Sequence, residues 1–396
     1  MKGSHLYQGG ALWYGSAFYM VTIREVKTKK DIKEFIEFPL RLYKGCKWFV
    51  PPLYGDEKKM IRAGGRPDVA DSIFLLAERD GKTVGRIQGI IQRQYNEIHS
   101  TKRVRFTRFD SLNDTEIACA LFGAIEDWGR SFGMTELCGP LGYSDLDREG
   151  LLIEGFEELA TFEEQYNYDY YGSLCEAAGL AKEVDWLEFE LKAPKTKNEI
   201  LERVAKRALE LNKLHFVDHT KYTKKEYINK FRDGFFDCLD ECYGKLYGTV
   251  PLSKSMQDEL IDQFMLILSK ENLFIVCDEN ERVVSFALGF PSISKAVQKS
   301  GGRLTIPTIF RILRAVKHPE TVDLGLIAVR PEYQKSGVNA VMMDILMKYV
   351  TDGKCQQCET NLNLEYNTAV MAQWKHFDAR QHKRRRAYLK AISKEE

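Results

Sequence analysis

Apolar and polar positions alternate between two periods along this chain. SIFLLAER (Ser72–Arg79) and KTVGRIQGIIQ (Lys82–Gln92) are apolar runs on either side of Asp80-Gly81. A turn dipeptide between two such runs predicts a β-hairpin. In KKDIKEFIEFPLRLY (Lys29–Tyr43), Ile32, Phe35, Ile36 and Leu40 recur at helical spacing, which predicts an amphipathic helix. VTIREV (Val21–Val26) and Val104–Phe109 read as strands. Asp110–Gly133 predicts a helix entered at the cap-like Asn113 and Asp114 and closed by Gly133. TELCGPLG then reads as a strand and turn, Tyr168–Gly179 as a short helix closed by glycine, and DWLEFELKA (Asp185–Ala193) as an alternating strand.

A lysine-rich linker with Pro194 leads into a second series. Helix (Asn198–Leu211), strand (His215–Thr220) and two more helical stretches (Lys224–Leu246, Ser253–Ser269) precede a second hairpin, NLFIVCD and ERVVSFALGF around Glu279-Asn280. After an interruption from Pro291 to Lys317 come strand TVDLGLIAV, a polar loop and helix, strand CETNLNLEY (Cys358–Tyr366), helix NTAVMAQWKHF and a last strand near RRAYLKAI. The same order of elements occurs twice. This predicts a duplicated α/β fold with a largely antiparallel sheet, in units 20–195 and 196–396. Residues 1–19 differ in character and read as a leader or an extended start, the alternative being a native arm that packs.

Composition narrows the partners. A chain of 396 residues suits two or three domains at roughly 150 residues each, and 44% apolar residues suffice for a core in each. A net charge of +1 argues against a nucleic-acid partner. No apolar run approaches the ~18–20 residues of a membrane span, so no membrane partner is expected. The nine cysteines are scattered and odd in number, with one CxxC at Cys355 and Cys358. Reduced thiols in a cytoplasmic protein are the simplest account. His215 and His219 would share a strand face, but without a third ligand they do not argue for a metal.

The chemistry concentrates in AVRPEYQKSGVNAVMMDILMKYV (Ala328–Val350). An apolar strand runs into a polar loop with one glycine, then into an apolar helix. The start of a helix offers unpaired N–H groups and partial positive charge, which suit an anion such as a pyrophosphate. Gly337 would let the backbone approach it closely. An ordinary strand–helix turn is the competing reading. By its period of two, the strand Cys358–Asn367 would carry Glu359, Asn361, Asn363 and Glu365 on one face, a polar row on an internal strand.

Val329, Pro331, Tyr333, Gln334 and Gly337 make this stretch similar to the GNAT superfamily of acyl-CoA-dependent N-acyltransferases, whose motif is V-x-P-x-[YW] followed by [RQ]-x-x-G-x-[GA]. Asn339 departs from the final Gly or Ala, with Ala340 next. NLNLEYNTAVM, with Glu365, Asn367 and Met371, further resembles tandem GNAT-like proteins of unassigned substrate. The resemblance implies two tandem acyltransferase-like domains. It implies acyl-CoA, first of all acetyl-CoA, held by Ile327, Ala328, Val329, Gln334, Lys335, Ser336, Gly337, Val338, Asn339, Ala340 and Asn367. It also implies an acceptor amine, a small molecule or peptide. At pH 7 a lysine-like amine is only about one part in a thousand neutral, so a base must take its proton. Glu359 and Glu365 are the base candidates, Asn361 and Asn363 substrate contacts, and Asp323 a further carboxylate. Where many family members carry a tyrosine that protonates the thiolate, this chain has Trp374, so Tyr388 is the candidate acid. Lys383–Arg386 could meet the CoA 3′-phosphate or an acidic substrate, with a solvated run as the competing reading. The first half lacks the loop, and Asp110 and Asp114 stand where pyrophosphate would lie. Two other readings stay open: a non-catalytic acyl-CoA-binding or scaffold protein, and an aminoacyl or peptidyl transferase of related fold.

Overall fold

The computed structural model describes residues 21–194 and 199–393. The expectations for residues 1–19 lie outside the described residues.

The strands are β1 (Thr22–Glu25), β2 (Ala70–Arg79), β3 (Lys82–Gln92), β4 (Arg103–Ser111), β5 (Glu136–Gly139), β6 (Leu151–Glu154) and β7 (Ala181–Lys192) in the first half. The second half supplies β8 (His215–Phe216), β9 (Leu273–Cys277), β10 (Val283–Pro291), β11 (Thr321–Val329), β12 (Gln357–Thr360), β13 (Asn363–Leu364) and β14 (Asp378–Ala391). All belong to one sheet, in the order β1-β2-β3-β4-β5-β14-β7-β12-β11-β10-β9-β8, with β6 on β14 and β13 on β7. Among the described residues only β4–β5 and β11–β12 pair in parallel, so the sheet is largely antiparallel and the class is mixed α/β.

The two halves exchange their last strands. β14, the end of the chain, lies between β5 and β7, and β7 lies against β12. β14 and β7 pair along eleven positions from Asp378↔Lys192 to Leu389↔Ala181. Each half therefore completes its sheet with a strand from the other.

Local signals account for the main helices. Thr28 and Asp31 form a capping box at the head of Lys29–Leu42, and Thr223 and Glu226 do the same for Lys224–Tyr243, satisfying backbone N–H groups that a helix start leaves unpaired. The helix Thr115–Ser131 buries Ile117, Leu121, Phe122 and Ile125 against Phe106 and Phe109 of β4. In the second half, Val338–Thr351 packs Val341, Met342, Met343 and Met347 with Leu201, Ala205 and Ala208 of the helix Glu199–Leu211. On the other face of the sheet, Lys224–Tyr243 lays Phe231, Phe235 and Phe236 over Ile275 and Phe286.

Four sequence expectations change. His215–Thr220 forms only the two-residue β8 before a 3-10 turn at His219–Lys221. The turn carries His219 off the strand, so the two histidines share no strand face. Cys358–Tyr366 is broken at Asn361–Leu362 into β12 and β13. The interruption after Pro291 contains two helices, Ser294–Gln298 and Ile306–Lys317. The segment Asn367–Phe377 is a four-residue helix followed by a 3-10 turn.

Candidate active site

β11 and β12 pair from Thr321↔Gln357 to Leu324↔Thr360 and then separate. The separation coincides with a bulge. β10 pairs Leu288 with Leu326 but Gly289 with Leu324, so Gly325 is the extra residue. A bulge bends its strand and ends regular pairing locally. β12 ends at Thr360, and the chain turns at Asn361. The gap opens into a cavity of about 410 Å³.

Its lining comes from four places. β11 gives Leu324 to Val329, and the turn after it gives Gln334 and Asn339. The segment after β12 gives Asn361, Leu362, Asn363, Leu364 and Asn367, followed by Trp374. Tyr243, Tyr247 and Thr249 arrive from the end of the long helix and the loop beyond it. Asp145, Leu146 and Glu149 arrive from the first half, on the loop between β5 and β6. A smaller cavity of about 110 Å³ meets the first at Asp145, Leu146, Leu288, Gly325, Leu326 and Asn361. Phe231, Phe235, Phe236, Phe264 and Phe290 make it strongly apolar.

The loop Gln334–Asn339 stands at the mouth of the larger cavity. Gly337 has φ +85°, a left-handed conformation that places it directly before the helix Val338–Thr351. A Cβ there would meet Ala208 at 3.3 Å, so the glycine serves the backbone turn and the packing of a neighbouring helix. Among the described residues, the amides of Gly337, Val338 and Asn339 have no acceptor. Three free N–H groups at the head of a fourteen-residue helix fit an anionic group such as a pyrophosphate.

The expected cofactor positions divide. Ile327, Ala328, Val329, Gln334, Asn339 and Asn367 line the cavity. Lys335 and Ser336 belong to the loop beside it, and Ser336 Oγ donates to the Tyr333 carbonyl at 2.8 Å. Val338 is buried in the core, and Ala340 packs against it. Asn367 also caps a helix, its Oδ1 accepting from the Val370 amide at 3.4 Å.

Asn361 and Asn363 both face the cavity. Asn363 Nδ2 donates to the Leu187 carbonyl at 3.0 Å and to Thr360 Oγ1 at 2.9 Å, while its Oδ1 accepts from Trp374 Nε1 at 3.3 Å. Trp374 thus orients an asparagine of the site. Tyr243 donates from its hydroxyl to the Ile327 carbonyl at 3.0 Å, on the strand edge exposed by the gap.

The three expected catalytic residues lie elsewhere. Glu359 points away from the cavity into a buried ion cluster, where the Lys383 ammonium contacts it and His382 Nε2 is 3.3 Å away. Burial would raise its carboxyl, but Lys383 and His382 outweigh burial and hold it below its ordinary range. Glu365 pairs with Lys182 at 2.8 Å and Arg384 at 3.4 Å, and accepts from the Asp185 amide at 3.1 Å. The break at Asn361–Leu362 separates Glu359, Asn361 and Glu365, which a continuous strand would have aligned. Tyr388 is buried in the core of the first half, opposite Gly139 of β5, because β14 crosses into that half. Asp323 is buried beside Glu359 and does not line the cavity; burial, then the Glu359 charge, push its carboxyl well up. The run Lys383–Arg386 is consumed by the same strand exchange. Lys383 and Arg385 bind Glu188, while Arg384 and Arg386 bind Asp185.

In the carboxylates' place, the tertiary structure brings Asp145 and Glu149. Burial raises the Asp145 carboxyl to about 6. Burial, then the charges of Asp145 and Glu164, raise Glu149 well above the ordinary range. Neither follows from any periodicity in LGYSDLDREG. Their one visible signal is a cluster of acids in a glycine-flanked loop.

In the first half the acids at the corresponding strand end and helix start are paired within the chain. Asp114 caps Thr115–Ser131 with its own carboxylate, accepting from the Glu116 amide at 2.9 Å and pairing with Arg79 at 2.7 Å. Asp110 is buried against Arg86 at 2.7 Å and Tyr43 at 2.9 Å. Where β4 leaves β5, the Arg105 guanidinium bonds the Gly142 and Gly248 carbonyls at 2.9 and 3.2 Å.

This geometry, a bulged strand parting from its parallel neighbour with a loop and a helix after it, in one sheet shared by two halves, is the tandem GNAT fold. Among solved structures, a tandem GNAT protein from the clavulanic acid biosynthesis pathway covers 96% of this chain and 100% of its own, with a TM-score of 0.54 and 9% identity. A GCN5-related N-acetyltransferase from Sphaerobacter thermophilus covers 94% of this chain and 96% of its own, with a TM-score of 0.50 and 11% identity. Among curated proteins, YghO of Escherichia coli is 25% identical over 391 residues, 94% of this chain and 96% of the relative. A bacterial ceramide synthase of Caulobacter vibrioides is 26% identical over 395 residues, 94% of this chain and 98% of the relative. No protein-family model matches the chain.

Proposed function

We propose that the protein is an acyl-CoA-dependent N-acyltransferase whose single working site lies in the second lobe. The observation that carries this reading is the gap between β11 and β12 at Gly325, next to three free amides at Gly337–Asn339. The strand edge of β11 offers backbone groups to an extended thioester arm, and the loop offers N–H groups to its diphosphate.

In this reading Asp145 is the general base. A carboxylate with pKa near 6 is mostly ionised at pH 7 and can take the proton of an ammonium, which frees the nitrogen lone pair for attack. The N–C bond forms, the C–S bond breaks, and the thiolate, whose thiol has an ordinary pKa of ~8.5, leaves without an acid and takes its proton from water. Asn361 and Asn363 hold the reacting carbonyl and amine, and Trp374 fixes Asn363. Glu359, Glu365 and Tyr388 have no part in the reaction, because they do not reach the cavity.

The cavity favours an acyl group longer than the acetyl expected from sequence. The larger cavity takes the thioester arm along β11, and the adjoining phenylalanine pocket adds apolar volume beyond it that an acetyl group would leave empty and a hydrocarbon chain fills. The relative named as a ceramide synthase agrees with this, since a ceramide is a fatty amide. The test is calorimetric titration with acetyl-CoA and palmitoyl-CoA, followed by thiol release with a panel of amines. Binding of palmitoyl-CoA and release that depends on an added amine are expected. No heat with either thioester would overturn the assignment, and tighter binding of acetyl-CoA would overturn the chain-length reading.

A further inference from the structure

The helix Ile306–Lys317 has two apolar faces. One is spent on the protein: Thr308 and Ile312 are buried, and Ile312 packs with Phe290, Ile293 and Val297. The other is bare. Ile306 and Phe310 are 73% and 68% exposed, with Ile309 and Leu313 completing the i, i+3, i+4, i+7 stripe and Leu304 just ahead of it. These are five of the fourteen large apolar side chains exposed among the described residues, gathered within ten positions. Such a patch on a protein surface marks a contact.

The charge around the stripe says what kind of contact. From Ser292 to His318 the chain has six lysines and arginines and no acidic residue, in a protein whose net charge is +1. Lys295 and Arg303 are paired, with Glu320 and Glu37. Arg311 and Arg314 sit on the helix itself beside the stripe, and neither the helix nor its flanks offer them a carboxylate. An exposed apolar stripe flanked by cations is the pattern of a helix that lies in the plane of an anionic bilayer, its apolar side chains among the acyl chains and its cations at the headgroups. A second copy of the chain is a poorer occupant, because a two-fold contact would bring two cationic faces together.

The helix is also held firmly. The Tyr54 amide donates to the Gly302 carbonyl at 2.9 Å, and the Arg303 guanidinium lies 4.3 Å over the Tyr54 ring. Pro52 and Leu53, next to this anchor, line a polar chamber of about 410 Å³ that touches the phenylalanine pocket at Leu146, Glu163 and Phe264. A surface that met the stripe would therefore lie beside this chamber.

We propose that Ile306–Lys317 docks the protein on an anionic membrane surface without crossing it. The proposal is independent of the acyltransferase reading. It is a peripheral contact; no helix among the described residues is long and apolar enough to cross a membrane. The test is co-sedimentation of the full-length protein with vesicles of phosphatidylcholine containing phosphatidylglycerol, and with vesicles of phosphatidylcholine alone. Binding to the anionic vesicles that weakens with salt is expected. Ile306→Ser with Phe310→Ser, and separately Arg311→Glu with Arg314→Glu, should each weaken it about tenfold or more while leaving the thermal melt unchanged. Absence of the wild-type protein from the anionic pellet would overturn the proposal. So would equal binding by the variants, or a dimer in light scattering that the Phe310 variant dissolves without any effect of vesicles.

Discussion

The Lys383 ammonium meets the Glu188 carboxylate at 3.1 Å, and both side chains are buried. The pair joins the last strand of the chain to the strand that ends its first half, so the exchange of strands is fastened by charge at its centre. Lys383 also contacts Glu359 of β12, and Arg385 bonds Glu188 at 2.6 Å. Burial would lower the lysine, but Glu188 and then Glu359 outweigh it and keep it charged.

Lys383→Met should therefore be severely destabilising. It removes one charge and leaves two carboxylates buried near one another, a change of about 3–5 kcal/mol for a broken buried pair. A fall in melting temperature of several degrees is expected, against little change for Lys295→Met, whose pair with Glu320 is exposed. Equal melts would show that the cluster is not the fastening.

The exchange itself is testable by cutting the chain. A fragment of residues 21–194 lacks β14 and exposes the edges of β5 and β7, which invites aggregation. It should be insoluble alone and soluble when co-expressed with residues 195–396. A monodisperse, cooperatively melting fragment would show that the first half needs no strand from the second.

Asp145→Asn should reduce amide formation by about 10²- to 10⁴-fold, the usual contribution of a general base, with thioester binding retained. In the parent protein kcat/KM should fall as pH drops through about 6, where Asp145 takes up its proton. The same profile in the Asn variant would remove Asp145 from the reaction. Glu359→Gln should leave the limb near pH 6 in place.

Stability should also depend on pH. Glu163 is raised to about 7 and Asp145 to about 6, both chiefly by burial. Between the ordinary carboxylate range and these values the folded chain binds more protons than the unfolded chain, so stability falls as pH rises. Groups held low, such as Asp31 near 2, work the other way but only at acid pH. The melting temperature should be higher at pH 5.5 than at pH 7.5, and Glu163→Gln should flatten that difference. A melt that rises with pH over this range would contradict the burial of these acids.

Gly337→Ala should cost about 1 kcal/mol from the left-handed backbone alone. The new methyl at 3.3 Å from Ala208 adds to this. A stabilised variant would mean the turn is not left-handed in solution.

Much of the architecture was legible in the chain because it rests on short-range rules. The hairpin around Asp80-Gly81, the Asp114 cap, the second hairpin, and the strand-loop-helix at Ala328–Val350 each follow from turn chemistry and periodicity within a few residues. The sequence alone thus determined the two hairpins, the mixed α/β class, and the polar loop with Gly337 ahead of its helix. Tertiary structure decided which residues face the cavity. A period-two reading placed Glu359 and Glu365 on the site, but the break after Thr360 and the insertion of β14 turned them to Lys383 and Lys182. Asp145 reaches the cavity only because the two lobes share one sheet. Strand exchange pairs residues nearly two hundred positions apart, and no local pattern of hydrophobic or polar residues encodes which distant strand will fill a gap.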